Sequence, residues 1–439
     1  MGCQMNEYDS NRILDLVKKI KYFPTKKIEE SNCYVLNTCH IREKATEKVY
    51  SDIGRIKKNF KDKKKPLILV TGCVAQAENE LMLKREPYID AVIGPQSYHN
   101  FEKILHDLEN KRKKINSTDF DVIEKFDKLN VIKNHTSKVS TFVTIQEGCD
   151  KFCNFCVVPY TRGSECSRSP KDIIQEVQNL VLNGAKEVTL LGQNVNAYNY
   201  ILNNKNYKLS DLIIELNKIK KLYRIRYTTS HPKDMTTDLI DCYKFIKKLM
   251  PQLHLPVQSG SNSILKGMNR KHTRQDYLNI IYRLKQINPE IKFSSDFIVG
   301  YPGETERDFE ETMSLVKKIN FINSYSFIYS PRPGTPAANF KPVDKEIQKK
   351  RLISLQNLLE KIQKNKNQKE IGKFKEILVE NKMKNQNQYF GRMSDSTPVI
   401  FKGGKKEDIG KLIFVEIEKT NRSSLFGVKK DKTENEVAA

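Results

Sequence analysis

Three cysteines, Cys149, Cys153 and Cys156, follow one another at C-x3-C-x2-C spacing in Gly148-Cys149-Asp150-Lys151-Phe152-Cys153-Asn154-Phe155-Cys156. Three thiolates gathered by one short loop are one ligand fewer than an iron–sulfur cubane takes. One iron is then open to an outside ligand. An open iron is a place for chemistry, whereas a fully ligated cluster mostly carries electrons. The competing reading is a structural zinc loop. Zinc takes four closed ligands, normally with a second Cys or His pair further on. Here Cys166 lies ten residues on and could serve, but no paired Cys or His accompanies it. The spacing favours a cluster.

A second set of thiols emerges from the N-terminal third. Cys33-Tyr34-Val35-Leu36 and Pro66-Leu67-Ile68-Leu69-Val70 read as short buried strands, ending at Asn37-Thr38-Cys39 and Thr71-Gly72-Cys73. Ala91-Val92-Ile93-Gly94 reads as another strand end. Helices alternate with them: Ile13, Leu16, Val17 and Ile20 recur at helical spacing between Asp9 and Lys21, and His40 to Lys58 forms a second helix. Cys3 precedes the first helix as Cys39 and Cys73 precede theirs, at intervals of 36 and 34 residues. In open α/β sheets ligands bind at the carboxyl edge, so Cys3, Cys39 and Cys73 converge as a second three-thiolate site. One such cysteine would be an ordinary buried residue; three at equivalent places, each beside Gly or Thr, point to ligation. Cys33 reads as core, and Cys166 and Cys242 have no such context.

The elements that position the first loop begin with the apolar run Thr141 to Ile145. Strands are expected at Thr141–Gln146, Glu187–Leu191, Arg224–Thr228, Gln252–Leu255, Lys292–Ile298 and Asn323–Ile328, with helices starting near Ser169, Ser210, Thr236, Ser261 and Glu306. Six such units make an open, partial (β/α)6 barrel, whose chemistry belongs at the carboxyl ends of the strands. Those ends are polar: Gln193, Asn194 and Asn196 after the second strand, Ser230 and His231 after the third, Gln258 and Ser259 after the fourth, and Gly300 to Glu304 after the fifth. His231 precedes a proline and serves equally well as a turn residue. Beyond them, Lys345 to Lys369 reads as a basic amphipathic helix with Leu355, Leu358, Leu359 and Ile362 on one face. Between Lys345 and Lys375 there are ten Lys or Arg against three Glu. Five short strands then follow, at Phe374–Val379, Gln388–Arg392, Pro398–Phe401, Leu412–Ile417 and Leu425–Val428. They imply a small β-barrel of a kind that binds oligonucleotides. Tyr389, Phe390 and Arg392 are its candidates for base stacking and phosphate contact, with barrel-core packing the alternative for an aromatic.

With 439 residues the chain has room for two or three cores, and 38% hydrophobic with 30% charged residues describes a globular protein. No run approaches the roughly 18 apolar residues of a membrane span. The N-terminus lacks an apolar signal core, and Asn6 stands where N-myristoylation needs Ser or Thr. Nine cysteines without a secretion signal fit a reducing, cytoplasmic setting. The net charge of +24 points to a polyanionic partner, nucleic acid above all. Part of it is also what an AT-rich genome writes as lysine.

The loop at Cys149, with an aromatic residue just before its last cysteine, resembles the radical S-adenosylmethionine (SAM) superfamily. Gly2-Cys3-Gln4-Met5-Asn6-Glu7-Tyr8-Asp9-Ser10, Asn37-Thr38-Cys39-His40-Ile41-Arg42-Glu43-Lys44-Ala45 and Thr71-Gly72-Cys73-Val74-Ala75-Gln76 are similar to the methylthiotransferases, more narrowly to the tRNA-2-methylthio-N6-dimethylallyladenosine synthase (MiaB) family. The resemblance covers essentially the whole chain. It implies two [4Fe–4S] clusters, one on Cys3, Cys39 and Cys73, the other on Cys149, Cys153 and Cys156 with SAM on its open iron. Gln193, Asn194, Ser230, Gln258, Ser259, Gly300 and Glu304 would face SAM. It divides the chain into an N-terminal methylthiotransferase domain (1–112), a linker (113–134), a radical SAM core (135–369) and a TRAM RNA-binding domain (370–434). The implied reaction replaces the hydrogen on carbon 2 of N6-dimethylallyladenosine at tRNA position 37 by a methylthio group. It consumes two SAM molecules, one as methyl donor and one as source of the 5′-deoxyadenosyl radical, with a cluster-associated sulfur donor.

The expected partners are a tRNA anticodon stem-loop and an electron donor such as flavodoxin or ferredoxin, with no membrane and the chain acting as a monomer. Related methylthiotransferases act on threonylcarbamoyladenosine in tRNA or on a ribosomal protein. The motif after Cys39 fits the dimethylallyl type, and a basic ribosomal protein would be repelled by a +24 enzyme. A non-catalytic iron–sulfur RNA-binding protein would leave the polar strand ends unexplained. In one respect the chain departs from the family: members usually carry a strand before the first Gly-Cys, and here Met1 directly precedes it. Either the start is misassigned or truncated, or that first strand is missing, and the local support of Cys3 turns on which.

Overall fold

In the computed structural model the described residues are 4–39, 44–111, 113–119, 138–384 and 386–430. In the N-terminal unit, strands Cys33–Thr38, Leu67–Gly72, Ala91–Ile93 and Ile115–Ser117 pair in that order, all parallel. Helices bury a parallel sheet on both faces, so its strands are apolar nearly throughout. On one face Val49, Ile53 and Ile56 of helix Lys44–Asn59 meet Ile68, Val70 and Val92. On the other, Ile13 and Val17 of helix Gln4–Lys19 pack with Phe101 and Leu105 of helix Phe101–Lys111 over Leu69 and Ile93. Cys33 sits against this second cluster, as expected for a core residue. Within the stretch expected to be linker, Ile115–Ser117 is the sheet's fourth strand. It lies at an edge and is only partly buried, with Ile115 its one apolar residue against the core. Residues 120–137 lie outside the described residues.

The central unit carries its parallel strands in chain order. Ser140–Thr144, Glu187–Leu191 and Arg224–Tyr227 form one ladder. An Ile225↔Leu249 bridge leads on to Gln252–His254, which pairs with Lys292–Ser294, and Asp296–Val299 pairs with Tyr325–Ile328. The single strand expected over Lys292–Ile298 is two segments because it changes partner at Ser295, whose Oγ accepts the Val257 N–H at 2.9 Å. The first and last strands do not pair with each other among the described residues, so the barrel is open. Helices Pro170–Leu182, Leu209–Asn217, Thr237–Phe245, Arg274–Ile287 and Glu306–Ile319 follow strands along its outside. Two of the unanticipated features bear on the barrel's outside. One is helix Arg274–Ile287, opened by a Thr273–Asp276 capping box. The other is the hairpin Asn199–Leu202/Lys205–Lys208, turning on Asn203 and Asn204 at positive φ.

Helix Lys345–Gln368 is capped by Asp344 and buries Leu355, Leu359 and Ile362 in the barrel core. The C-terminal strands Phe374–Lys382, Tyr389–Arg392, Pro398–Lys402, Leu412–Thr420 and Leu425–Lys430 close into a barrel, as expected. Tyr389 belongs to its core, with its ring centroid 6.0 Å from that of Phe401. Phe390 stays half-buried under the Arg392 guanidinium. This barrel docks on the amino ends of the central strands. Arg224 donates to the Arg392 carbonyl at 2.8 Å, and Arg226 to the carbonyls of Ser394 and Met393 at 2.7 and 3.1 Å. Both arginines are buried, and Arg226 Nε lies 3.1 Å from the buried Glu187 carboxylate. Removing one partner of a buried pair strands the other's charge. Arg226→Met should therefore cost on the order of 3 kcal/mol, seen as a lower urea midpoint of the cluster-free protein.

Candidate cluster and cofactor site

The first cysteine loop leaves the short strand Gln146–Glu147 through Gly148 at φ 77°, where a Cβ would stand 1.9 Å from the Ser164 carbonyl oxygen. Glycine is required there. The loop is fastened from three sides. Cys149 N donates to the Gly163 carbonyl at 3.1 Å, and Asn154 N to that of Met268 at 3.0 Å. Gly148 N donates to Gln193 Oε1 at 2.7 Å, while the Gln146 side chain accepts from the backbone of Gln193 and Asn194. Gln193, expected to face a cofactor, thus ties the loop to the second strand's end.

Burial pushes the Cys149 thiol up to about 12, with the charges of Cys156, Glu165 and Cys153 adding to it. Cys156 is pushed up to about 11 by burial and then by Cys153, against the opposing pull of Arg270 and Arg332. The three thiols are near enough to repel one another as thiolates, and bare thiolates are disfavoured. A cationic centre that displaces their protons relieves both costs. Arg270, itself buried, donates to Cys153 Sγ at 3.6 Å and to the Pro256 carbonyl at 2.6 Å. Among the described residues no three His, Cys, Asp or Glu side chains are gathered around the position of a single metal ion.

Around the loop lie buried polar atoms with no partner among the described residues: Asn194 Oδ1, Ser230 Oγ, His231 Nε2, Arg270 Nε and both ring nitrogens of His272. Buried polar atoms are nearly always satisfied, and this set at the strands' carboxyl ends fits a polar ligand. Asn194 is oriented by donating to Glu165 and Asp234 at 3.0 and 2.8 Å, and Lys151 pairs with Asp234 at 2.9 Å. His231 and His272 meet edge to face at 5.6 Å. Three other residues expected to face SAM also bond within the fold. Gln258 holds φ 74° while its backbone bonds Asp296 and Ile298. Ser259 Oγ bonds Thr312 Oγ1 at 3.2 Å. Glu304 accepts the Gly300 N–H at 3.0 Å and pairs with buried Arg351 at 2.8 Å.

In the N-terminal unit Thr38 and Gly72 are register partners, so Cys39 and Cys73 leave adjacent strands side by side. Gly72 sits at φ 92°, where a Cβ would meet the Thr38 carbonyl oxygen at 2.3 Å. Asn37 donates to the Asn6 carbonyl at 3.0 Å, which brings the first turn of helix Gln4–Lys19 to the same edge. Cys3 lies outside the described residues. Between the two cysteine sites stands Arg162, fully buried and bonded to Cys73, Asp9 and Glu147. Sequence reasoning missed Arg162, Arg270 and His272. The available signal was an arginine only six residues beyond Cys156 and two more basic residues closing the loop after Gly267.

Residues 143–316 match the Radical SAM superfamily, residues 368–430 the TRAM domain, and residues 1–94 the Uncharacterized protein family UPF0004. A structure of the radical SAM methyltransferase TsrM from Kitasatospora setae, with tryptophan and a SAM analog bound, shares the fold at TM-score 0.56 and 12% identity, covering 75% of this chain and 72% of that one. Fold and site together define a radical SAM enzyme with an added α/β unit and a C-terminal TRAM barrel. Two tRNA-2-methylthio-N(6)-dimethylallyladenosine synthases are similar over their full lengths. That of Pelagibacter ubique (strain HTCC1062) is 61% identical, covering 100% of this chain and 98% of its own. That of Wolbachia pipientis subsp. Culex pipiens (strain wPip) is 49% identical, covering 97% of each. The chain belongs to the tRNA-2-methylthio-N(6)-dimethylallyladenosine synthase family.

His272 carries a pH dependence of its own. Burial, then the charge of Arg270, lowers its pKa to about 3, against about 6.5 when unfolded. Between these values the unfolded chain binds a proton that the folded chain refuses, so stability falls as pH drops through the window. His272→Phe should flatten that part of the profile in thermal unfolding of the cluster-free protein between pH 7 and 4.

Proposed function

We propose that this enzyme methylthiolates carbon 2 of N6-dimethylallyladenosine at position 37 of tRNA. The observation that carries the reading is the meeting of two cysteine-bearing strand edges, one ringed by unpartnered buried polar atoms. Carbon 2 of adenine bears an unactivated C–H bond beyond the reach of a side-chain base. Bound clusters and SAM supply the radical, the methyl group and the sulfur that replace it. Cys149, Cys153 and Cys156 would hold the cluster that binds SAM, and Cys39 and Cys73 with Cys3 the auxiliary cluster. A cubane spreads its thiolates over separate irons, so the three cysteines of a site need not converge on one point. Asn194, Ser230, His231 and Arg270 would bind SAM through those buried polar atoms. Gln193 and Gln146 hold the loop still, and Glu304, through Arg351, holds the turn after the fifth strand.

Cys149→Ala/Cys153→Ala/Cys156→Ala should lower the iron of the anaerobically reconstituted chain from about eight to about four. Cys39→Ala should still cleave SAM to 5′-deoxyadenosine while yielding no methylthio product. Iron near four in the unmutated, fully reconstituted protein, or wild-type product formation by Cys39→Ala, would overturn the two-site assignment.

The polyanionic substrate accounts for part of the charge. Lys361 and Lys364, with Arg422 paired to Glu360 at 2.6 Å, line a cleft of about 480 Å³ between helix Lys345–Gln368 and the C-terminal barrel, where the two lysines would contact RNA phosphates. The target base lies in a single-stranded loop that can be splayed into a pocket. The protein works in the cytoplasm as a monomer, with a flavodoxin or ferredoxin as electron donor. No helix of the described residues is long and apolar enough to cross a membrane. Lys361→Gln/Lys364→Gln should weaken tRNA binding and reduce the slope of log affinity against log salt by about 1.4 to 1.8. An unchanged slope in binding titrations at several salt concentrations would remove these lysines from the interface.

A further inference from the structure

Arg162 ends the short helix Val158–Arg162, six residues beyond Cys156, yet its side chain reaches into the other cysteine site. It is 1% exposed. Its Nε donates to Cys73 Sγ at 3.3 Å, Nη2 to Asp9 at 2.8 Å and Nη1 to Glu147 at 3.2 Å. Its carbonyl accepts from Gln96 Nε2 at 2.9 Å, and the same amide group lies 3.3 Å from Glu147. Each guanidinium nitrogen therefore addresses a different element: helix Gln4–Lys19, the carboxyl edge of the N-terminal sheet, and the short strand feeding the Cys149 loop. The planar fork fixes the Nε–H on the sulfur once the two carboxylates have taken the other nitrogens. A guanidinium already balanced by two carboxylates gains little from a neutral thiol and much from a thiolate, because a charged acceptor makes the stronger bond.

We propose that Arg162 is a positioning residue that sets the electron affinity of the auxiliary cluster by donating its Nε–H to the Cys73 ligand sulfur. This rests on the assignment of Cys73 as a ligand made above. Hydrogen bonds to ligand sulfurs, and net charge nearby, are levers on cluster potential. The guanidinium supplies the hydrogen bond, and it balances the Asp9 and Glu147 carboxylates that would otherwise stand uncompensated beside the cluster. It favours the reduced cluster, which carries one more negative charge. The same side chain touches Glu147, two residues before Cys149, so the potential of one site is tied to the placement of the other.

The test uses the full chain carrying Cys149→Ala/Cys153→Ala/Cys156→Ala, so that only the auxiliary cluster is read. After anaerobic reconstitution, the one-electron reduction by dithionite is followed by EPR at controlled potential. Arg162→Met should shift the midpoint negative by at least a tenfold change in the reduced-to-oxidised ratio, about 59 mV for one electron. Arg162→Lys, which keeps the charge and loses the fork, should shift it less. Arg168→Met is the control, because buried Arg168 secures the same helix through Tyr8 and Glu176 without contacting a cysteine in the proposed ligand set. Its midpoint should stay in place.

An unshifted midpoint in Arg162→Met with full iron overturns the proposal, as does an equal shift in Arg168→Met, which would make helix docking the cause. If Arg162→Met does not hold iron, Arg162→Lys and Arg162→Gln decide, the proposal requiring the larger negative shift in Arg162→Gln. Undiminished iron in Cys73→Ala on the same background would instead remove the ligand assignment beneath it.

Discussion

Two buried arginines from one short stretch, Arg162 and Arg168, hold the N-terminal unit against the barrel. Arg168 pairs with Glu176 at 2.7 Å and donates to the Tyr8 hydroxyl at 3.2 Å, while Arg162 takes Asp9 and Glu147. A charge removed from water is tolerated only when its partners are placed well, and losing one partner is severe. The seam is therefore specific in a way an apolar contact would not be. Around it Met5 and Tyr8 pack on Phe142 and Leu191, so the first turns of helix Gln4–Lys19 lie along the outermost strand of the open barrel. Shifting that helix would displace the edge that carries Cys39 and Cys73 relative to the Cys149 loop.

Much of this was legible in the sequence, for a physical reason. Parallel strands covered on both faces are nearly pure apolar runs, and the polar residues that follow mark their ends, so Glu187–Leu191 could be located to the residue. The cysteines were legible because their spacing is local. The arginine seam was not: Arg162 and Asp9 stand 153 residues apart, and nothing local distinguishes a buried arginine from a solvated one. Ile115–Ser117 escaped because an edge strand needs only one apolar residue. A polar residue at a strand end also has two uses that sequence cannot separate. Asn194 and Ser230 keep buried atoms unpartnered, whereas Ser259 and Glu304 spend theirs on Thr312 and Arg351.

Glycine marks the places where backbone must approach backbone. Gly148 and Gly72 both hold positive φ, one just before a cysteine of each site, and both would drive a Cβ into a carbonyl oxygen. The same device therefore turns the chain out of a strand and presents a thiol at each edge. Gly163 and Ser164 form the wall that Gly148 approaches, one and two residues beyond Arg162. The turn that shapes the first loop and the side chain that reaches the second site thus belong to one continuous segment.

The C-terminal barrel grips the central strands by their amino ends, through Arg224 and Arg226, while the cysteine loops open at the carboxyl ends. A five-residue strand is about 17 Å long, so the barrel and the loops stand at opposite ends of the central strands, at least about that far apart. The docking seam thereby fixes a spacing: the barrel cannot slide along the strands without stranding the buried Arg226–Glu187 pair.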